Sequence, residues 1–123
     1  MGMTVSFCVI AYNEAEALPQ LLGDLAAQDY PKKQIEVILV DGDSTDRTKA
    51  VMKEFEETQK ENYSRIVVAD NKKRKLAPGW NVALKLAQGD IILKVDAHAR
   101  IPEDFVRRNV GLQEEGEYIT GGP

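Results

Sequence analysis

In "LKVDAHAR" (93–100) an aspartate and the chain's single histidine stand two positions apart, directly after an apolar run. A buried strand has no structural use for Asp96 or His98, since such residues rarely sit fully inside. In extended chain, residues i and i+2 point to the same side, so both side chains could address one divalent cation. A carboxylate suits hard Mg²⁺ or Mn²⁺, and an imidazole tilts the choice towards Mn²⁺. The competing reading is a chance histidine in a surface loop.

Three more polar clusters follow apolar runs: "AYNE" (11–14), "DGDST" (41–45) and "DNKKRK" (70–75). Tyr12 could stack on a flat base, or the segment could be a strand-to-helix turn capped by Asn13. Asp41 follows its strand directly, where a carboxylate could accept bonds from a base or ribose, whereas Asp43 or Ser44 could cap the next helix. One or two of Lys72, Lys73, Arg74 and Lys75 could reach a diphosphate, because charge-assisted pairs to phosphate are strong; the others form a solvated loop. Trp80 reads as core or groove wall.

The elements that must position these clusters alternate. "TVSFCVI" (4–10), "IEVILV" (35–40), "SRIVVA" (64–69) and "DIILKVD" (90–96) read as strands, three of them nearly continuous apolar runs. Between them, Leu18, Leu21, Leu22 and Leu25 recur at helical spacing behind an Asn13/Glu16 capping pair. Val51, Met52 and Phe55 stripe a helix over 45–58. Further helices are expected over 78–88, with Gly89 just past the end, and over 102–112. "GEYIT" (116–120) reads as the start of another strand. Strands alternating with helices imply an α/β fold, a doubly wound and mainly parallel sheet with helices on both faces. Ligands of such sheets collect at the carboxyl ends of the strands, where all four clusters lie.

The chain has 123 residues, 43% hydrophobic and 29% charged, with a formal net charge of −4. That length suits one domain, and an acidic balance argues against a nucleic-acid partner. No apolar run is long enough to cross a membrane. Cys8, the one cysteine, excludes an internal disulfide and a cysteine zinc cluster; it is expected buried in its strand, in a cytoplasmic protein. Residues 1–3 read as a cloning remnant or disordered start, and 4–123 as one unit that stops short of a completed element, hence a piece of a longer protein.

Taken in order, "VIAYNE", "ILVDGDSTDRT", "LAPGWNVALKLAQGDIILKVDAHA" and the closing "GGP" resemble glycosyltransferase family 2, the inverting nucleotide-sugar transferases of GT-A fold. The resemblance spans about Val5 to Pro123. "VDAHAR" followed by "PEDFV" is similar to bacterial exopolysaccharide glucosyltransferases of the succinoglycan-synthesis type. The resemblance implies that Ala11, Tyr12 and Glu14 border a uracil and ribose pocket, and that Asp41 and Asp43 flank the nucleoside. It places Asp96, Ala97 and His98 in the metal motif, with Asp96 nearer the ribose and diphosphate and His98 on the ion. Lys75, Gly79 and Asn81 would lie near the diphosphate-sugar. It further implies a UDP-sugar donor, Mn²⁺ or Mg²⁺, and a saccharide or lipid-linked acceptor. The full-length protein would sit in the cytoplasm or on the cytoplasmic face of a membrane, with the general base beyond Pro123. Three positions depart from the family pattern: Gly42 replaces an aspartate that reads the base, Ile10 a proline or threonine, and His98 the second aspartate of the metal motif.

Two other classes compete. A receiver-like module needs an acidic pair after strand one and an aspartate after strand three, where this chain has "AYNE" and "ADNKK". A scaffold that keeps the fold without binding is separated by nucleotide titration. An unpaired later sheet edge would lead the 123-residue piece to form a homodimer, and without the base it would transfer little sugar.

Overall fold

The structure is a computed structural model that describes residues 3–72 and 76–114. The elements run β1 (Val5–Ala11), α1 (Leu18–Ala26), a 3₁₀ turn (Lys32–Gln34), β2 (Ile35–Asp41), α2 (Thr48–Gln59), β3 (Arg65–Asp70), α3 (Leu76–Leu86), β4 (Ile91–Asp96) and α4 (Phe105–Glu114). The four strands form one parallel sheet in the order β3-β2-β1-β4. The chain therefore winds outwards from β1 through β2 to β3, then crosses back and adds β4 on the other side of β1. The expected strand "GEYIT" lies outside the described residues.

Alternation along the strands splits the core in two. Val5, Phe7 and Val9 of β1 and Leu93 and Val95 of β4 pack with Leu18, Leu21 and Leu25 of α1, Met52 of α2 and Val106 of α4. Cys8, Ile38 and Val40 face the other way, onto Ala83, Trp80 and Leu86 of α3. Helices thus cover both faces, which explains why every residue of β2 is buried. Burial pushes the Cys8 thiol up to about 12, with Glu36 adding to the rise, so this cysteine is an inert core residue.

Helix starts differ from the sequence reading. Asn13 and Glu16 do not cap α1, which begins at Leu18 with a proline in its first turn. Asn13 instead serves the neighbouring loop. Helix α2 begins at Thr48 rather than 45, because Asp46 Oδ1 accepts from Thr48 N at 2.9 Å and holds 45–47 in a turn.

A polar knot closes the amino ends of the strands. Glu36, 5% exposed, accepts hydrogen bonds from Ser6 Oγ, Gln88 N and Arg65 Nε, and Arg65 also donates to Leu86 O. Gly89 N donates to Ser6 Oγ at 2.8 Å, and a Cβ on Gly89 would fall 2.7 Å from Ser6 N. Only glycine allows that approach. Gly79 is similarly constrained: a Cβ there would meet Ile10 at 3.0 Å, so it seats α3 on β1.

Tyr63 is 1% exposed and tilts against Phe55 with ring centroids 5.8 Å apart. Its hydroxyl has no hydrogen-bond partner among the described residues. A buried unsatisfied hydroxyl costs about 1–3 kcal/mol. Tyr63→Phe is therefore expected to leave stability unchanged or raise it by roughly 1 kcal/mol, read as a denaturation midpoint shift at constant slope. A clear loss of stability would mean that the hydroxyl is hydrogen-bonded in solution.

Candidate functional site

The strand registers bring the polar clusters together. Ala11 pairs with Asp41, Asp41 with Asp70, and Ile10 with Asp96, so all four carboxyl ends fall in one row. The winding direction reverses between β1 and β4, and such a switch point opens a crevice outside the strand ends. The residues after β1 and after β4 line its two sides.

The loops after β1 and β2 are stitched to each other. Asn13 (φ 52°) and Asp43 (φ 64°) adopt the left-handed conformation, which asparagine and aspartate tolerate better than other non-glycine residues. Asn13 N donates to Ser44 Oγ at 2.9 Å, and Asn13 Oδ1 accepts from Thr45 N at 2.8 Å. Gly42 N donates to Ala11 O at 2.8 Å. The carboxylate of Asp41, 3% exposed, accepts from Ser44 N at 3.3 Å. Tyr12 stands 44% exposed beside this rigid pair of loops. Asp43 forms a 3.8 Å ion pair with Lys72, which brings that lysine to the same edge. Asn71, missed in the sequence reading, is buried at the end of β3 and donates its N–H to Asp41 O at 2.7 Å. Asn81 lines an open cavity of about 350 Å³ with Asp70, Asn71, Lys72 and Lys85. Gly79 is buried against Ile10. Lys75 lies outside the described residues.

At β4 the extended-chain argument fails. The strand stops at Asp96, and Ala99 N donates back to Asp96 O at 3.0 Å, so residues 96–99 form a turn. The turn, not strand alternation, sets Asp96 and His98 relative to each other. Ala97 is buried beneath it. The carboxylate of Asp96 makes no hydrogen bond to a described residue, while His98 Nδ1 lies 3.0 Å from Glu14 Oε2 across the crevice. The hydrogen bond and charge of Glu14, with Asp96 adding, hold the imidazole above its usual range.

A second anchor, also absent from the sequence reading, fixes the turn from behind. Arg100 forks onto Asp24 of α1 at 2.7 and 3.0 Å and reaches Gln20 at 2.8 Å, and Ile101 N also donates to Asp24. The Arg100 hydrogen bond holds the Asp24 carboxyl below the usual range. Nothing in the local pattern marks this pair, which is separated by 76 residues.

Among the described residues, no group of three or more His, Cys, Asp or Glu side chains could cage a metal alone. Asp96 and His98 would offer one oxygen and one nitrogen ligand. One or two protein ligands completed by substrate phosphates is the usual arrangement for hard cations in nucleotide sites. The donor set fits a cation that arrives with a diphosphate.

Comparisons with known proteins agree with this geometry. Residues 6–123 match the model of Glycosyl transferase family 2. A dolichyl N-acetyl-alpha-D-glucosaminyl phosphate 3-beta-D-2,3-diacetamido-2,3-dideoxy-beta-D-glucuronosyltransferase of Methanococcus voltae is 35% identical over 86% of this chain and 32% of its own length. The poly(ribitol-phosphate) beta-N-acetylglucosaminyltransferase TarS of Staphylococcus aureus is 34% identical over 95% of this chain and 19% of its own. Among solved structures, S. aureus TarS 1-349 in complex with UDP-GlcNAc superposes with TM-score 0.78 at 30% identity, over 92% of this chain and 32% of that one. The mannosyltransferase PcManGT of Pyrobaculum calidifontis, in complex with GDP-Man and Mn²⁺, gives 0.79 at 31% identity, over 86% and 31%. The chain thus spans about a third or less of each of these relatives. Sheet topology and sequence agree that this chain belongs to glycosyl transferase family 2 and carries its GT-A fold.

Proposed function

We propose that this chain forms the donor-binding part of a glycosyltransferase, holding a nucleotide-diphospho-sugar with a divalent cation. The carrying observation is the row of strand ends Ala11, Asp41, Asp70 and Asp96 along one edge of the sheet. Tyr12 offers a face for the base, and Asp41 and Asp43 flank the nucleoside. Lys72 and Asn81 lie towards the diphosphate. Asp96 and His98 would hold Mn²⁺ or Mg²⁺, whose charge stabilises the departing nucleoside diphosphate. The acceptor, in this reading, is a saccharide or lipid-linked sugar in the full-length protein.

UDP is the favoured nucleotide, given the solved relative with UDP-GlcNAc, although the relative with GDP-Man makes GDP the necessary comparison. Calorimetric titration with UDP is expected to show weak binding that tightens when Mn²⁺ is added. Tighter binding of GDP would reverse the choice of base. Absence of heat with either nucleotide, with and without Mn²⁺, would refute the proposal.

A further inference from the structure

We propose that Glu14 is a positioning residue for His98: its carboxylate holds the imidazole as the Nδ1–H tautomer and leaves Nε2 to the cation of the donor complex. This rests on the donor-site reading above.

The contact crosses the switch point. Glu14 follows β1 and His98 follows β4, 84 residues later, yet Nδ1 and Oε2 are 3.0 Å apart. The two partners are not equally fixed. Glu14 is tied at both backbone ends: its N–H donates to Thr48 Oγ1 at 2.8 Å, and its carbonyl accepts from Leu18 N at 2.9 Å. Thr48 is itself fully buried at the first residue of α2. His98 stands on an exposed turn with its side chain 67% exposed. Such a ring would rotate freely without a partner, and Glu14 is the described residue that engages it.

A carboxylate on one imidazole nitrogen fixes which nitrogen carries the proton. When the ring is neutral and Nδ1–H donates to Glu14, the Nε2 lone pair is unprotonated, as metal ligation requires. No described residue hydrogen-bonds Nε2. The neighbouring carboxylate of Asp96 also has no hydrogen-bond partner among the described residues. Glu14 therefore acts on the cation through His98. The pair is too exposed to matter greatly for folding, which separates a positioning role from a merely structural one.

Because His98 is the only histidine, imidazole ¹⁵N NMR reports one residue without ambiguity and without any metal. At a pH that keeps the ring neutral, the wild-type chain should give the Nδ1–H pattern. Glu14→Gln should retain it, since the amide oxygen still accepts the proton, whereas Glu14→Ala should lose it with an unchanged melting curve. Carboxylates that orient metal-bound histidines contribute about 10–100-fold in metal affinity. Mn²⁺ titration in the presence of UDP should therefore weaken by that factor in Glu14→Ala and by less in Glu14→Gln. An Nε2–H pattern in the wild-type chain overturns the positioning role while leaving the donor-site reading intact. So does unchanged Mn²⁺ affinity in Glu14→Ala. A wild-type Nδ1–H pattern without any Mn²⁺ binding overturns the donor-site reading, and the cation's place in this proposal with it.

Discussion

Asp96→Ala is expected to erase the gain that Mn²⁺ brings to UDP binding, while binding without the metal changes little. The carboxylate ends β4 without a hydrogen-bond partner among the described residues, so no local structure depends on it. Outer-shell partners of metals contribute about 10–100-fold in affinity, and a residue holding the ion itself should reach the upper end of that range. Lys72→Ala is the comparison. Lys72 is 75% exposed in a 3.8 Å pair with Asp43, and exposed pairs are worth about 0–1 kcal/mol, or roughly fivefold at most. Calorimetry of both variants with UDP, with and without Mn²⁺, ranks the two. Equal losses from both would contradict the assignment of Asp96 to the cation.

The largest effect on stability is expected at the opposite edge of the sheet. Glu36→Ala removes the acceptor for Ser6 Oγ, Gln88 N and Arg65 together, at the wall of an open cavity of about 250 Å³. Breaking a fully buried ion pair from one side costs about 3–5 kcal/mol; the Arg65 side chain is 36% exposed, so water screens the charge left behind and the loss falls below that range. The pH dependence has a definite sign. Burial alone would raise the Glu36 carboxyl, but the hydrogen bonds from Gln88, Ser6 and Arg65, with the Arg65 charge, outweigh it and hold the group below its ordinary value. The folded chain then binds this proton less readily than the unfolded chain. Its stabilising contribution is present above the unfolded carboxylate pKa and is lost as pH falls through the folded one. Glu36→Gln should accordingly flatten the acid limb of the stability curve, measured by urea unfolding from neutral to acid pH. An unchanged acid limb would show that other carboxylates govern acid unfolding.

Much of this was legible because burial on both faces writes itself into a strand. β2 is apolar except at Glu36 and Asp41, and the Leu18–Leu25 stripe marks α1 by period alone. Asp41 and Asp96 were legible as carboxylates placed directly after such runs. What stayed hidden depends on partners distant in the chain. Asn13 carries a capping residue's chemistry, yet its amide oxygen reaches the backbone at Thr45, across 32 residues. Asp24 and Arg100 look like ordinary helix and loop charges until α1 meets the turn after β4. The contact of Glu14 with His98 was not legible, because nothing local points one towards the other across 84 residues. The close packing of Gly79 on Ile10, which seats α3 on β1, was not legible either, because it depends on a strand 69 residues earlier.

The strand order also has a consequence for synthesis. Of the four described strands β1 leaves the ribosome before the others, yet its register partner on one side, Ile91 opposite Val5, follows 86 residues later. At about 5–20 residues per second, the β4 side of β1 stays open for roughly 4–17 s after β1 is made. During that interval "VSFCVIA" presents one unpaired edge without a single charged residue to deter another chain. Nascent chains on one polysome are close neighbours, so variants that delay β4 should lower soluble yield even where the finished fold is no less stable.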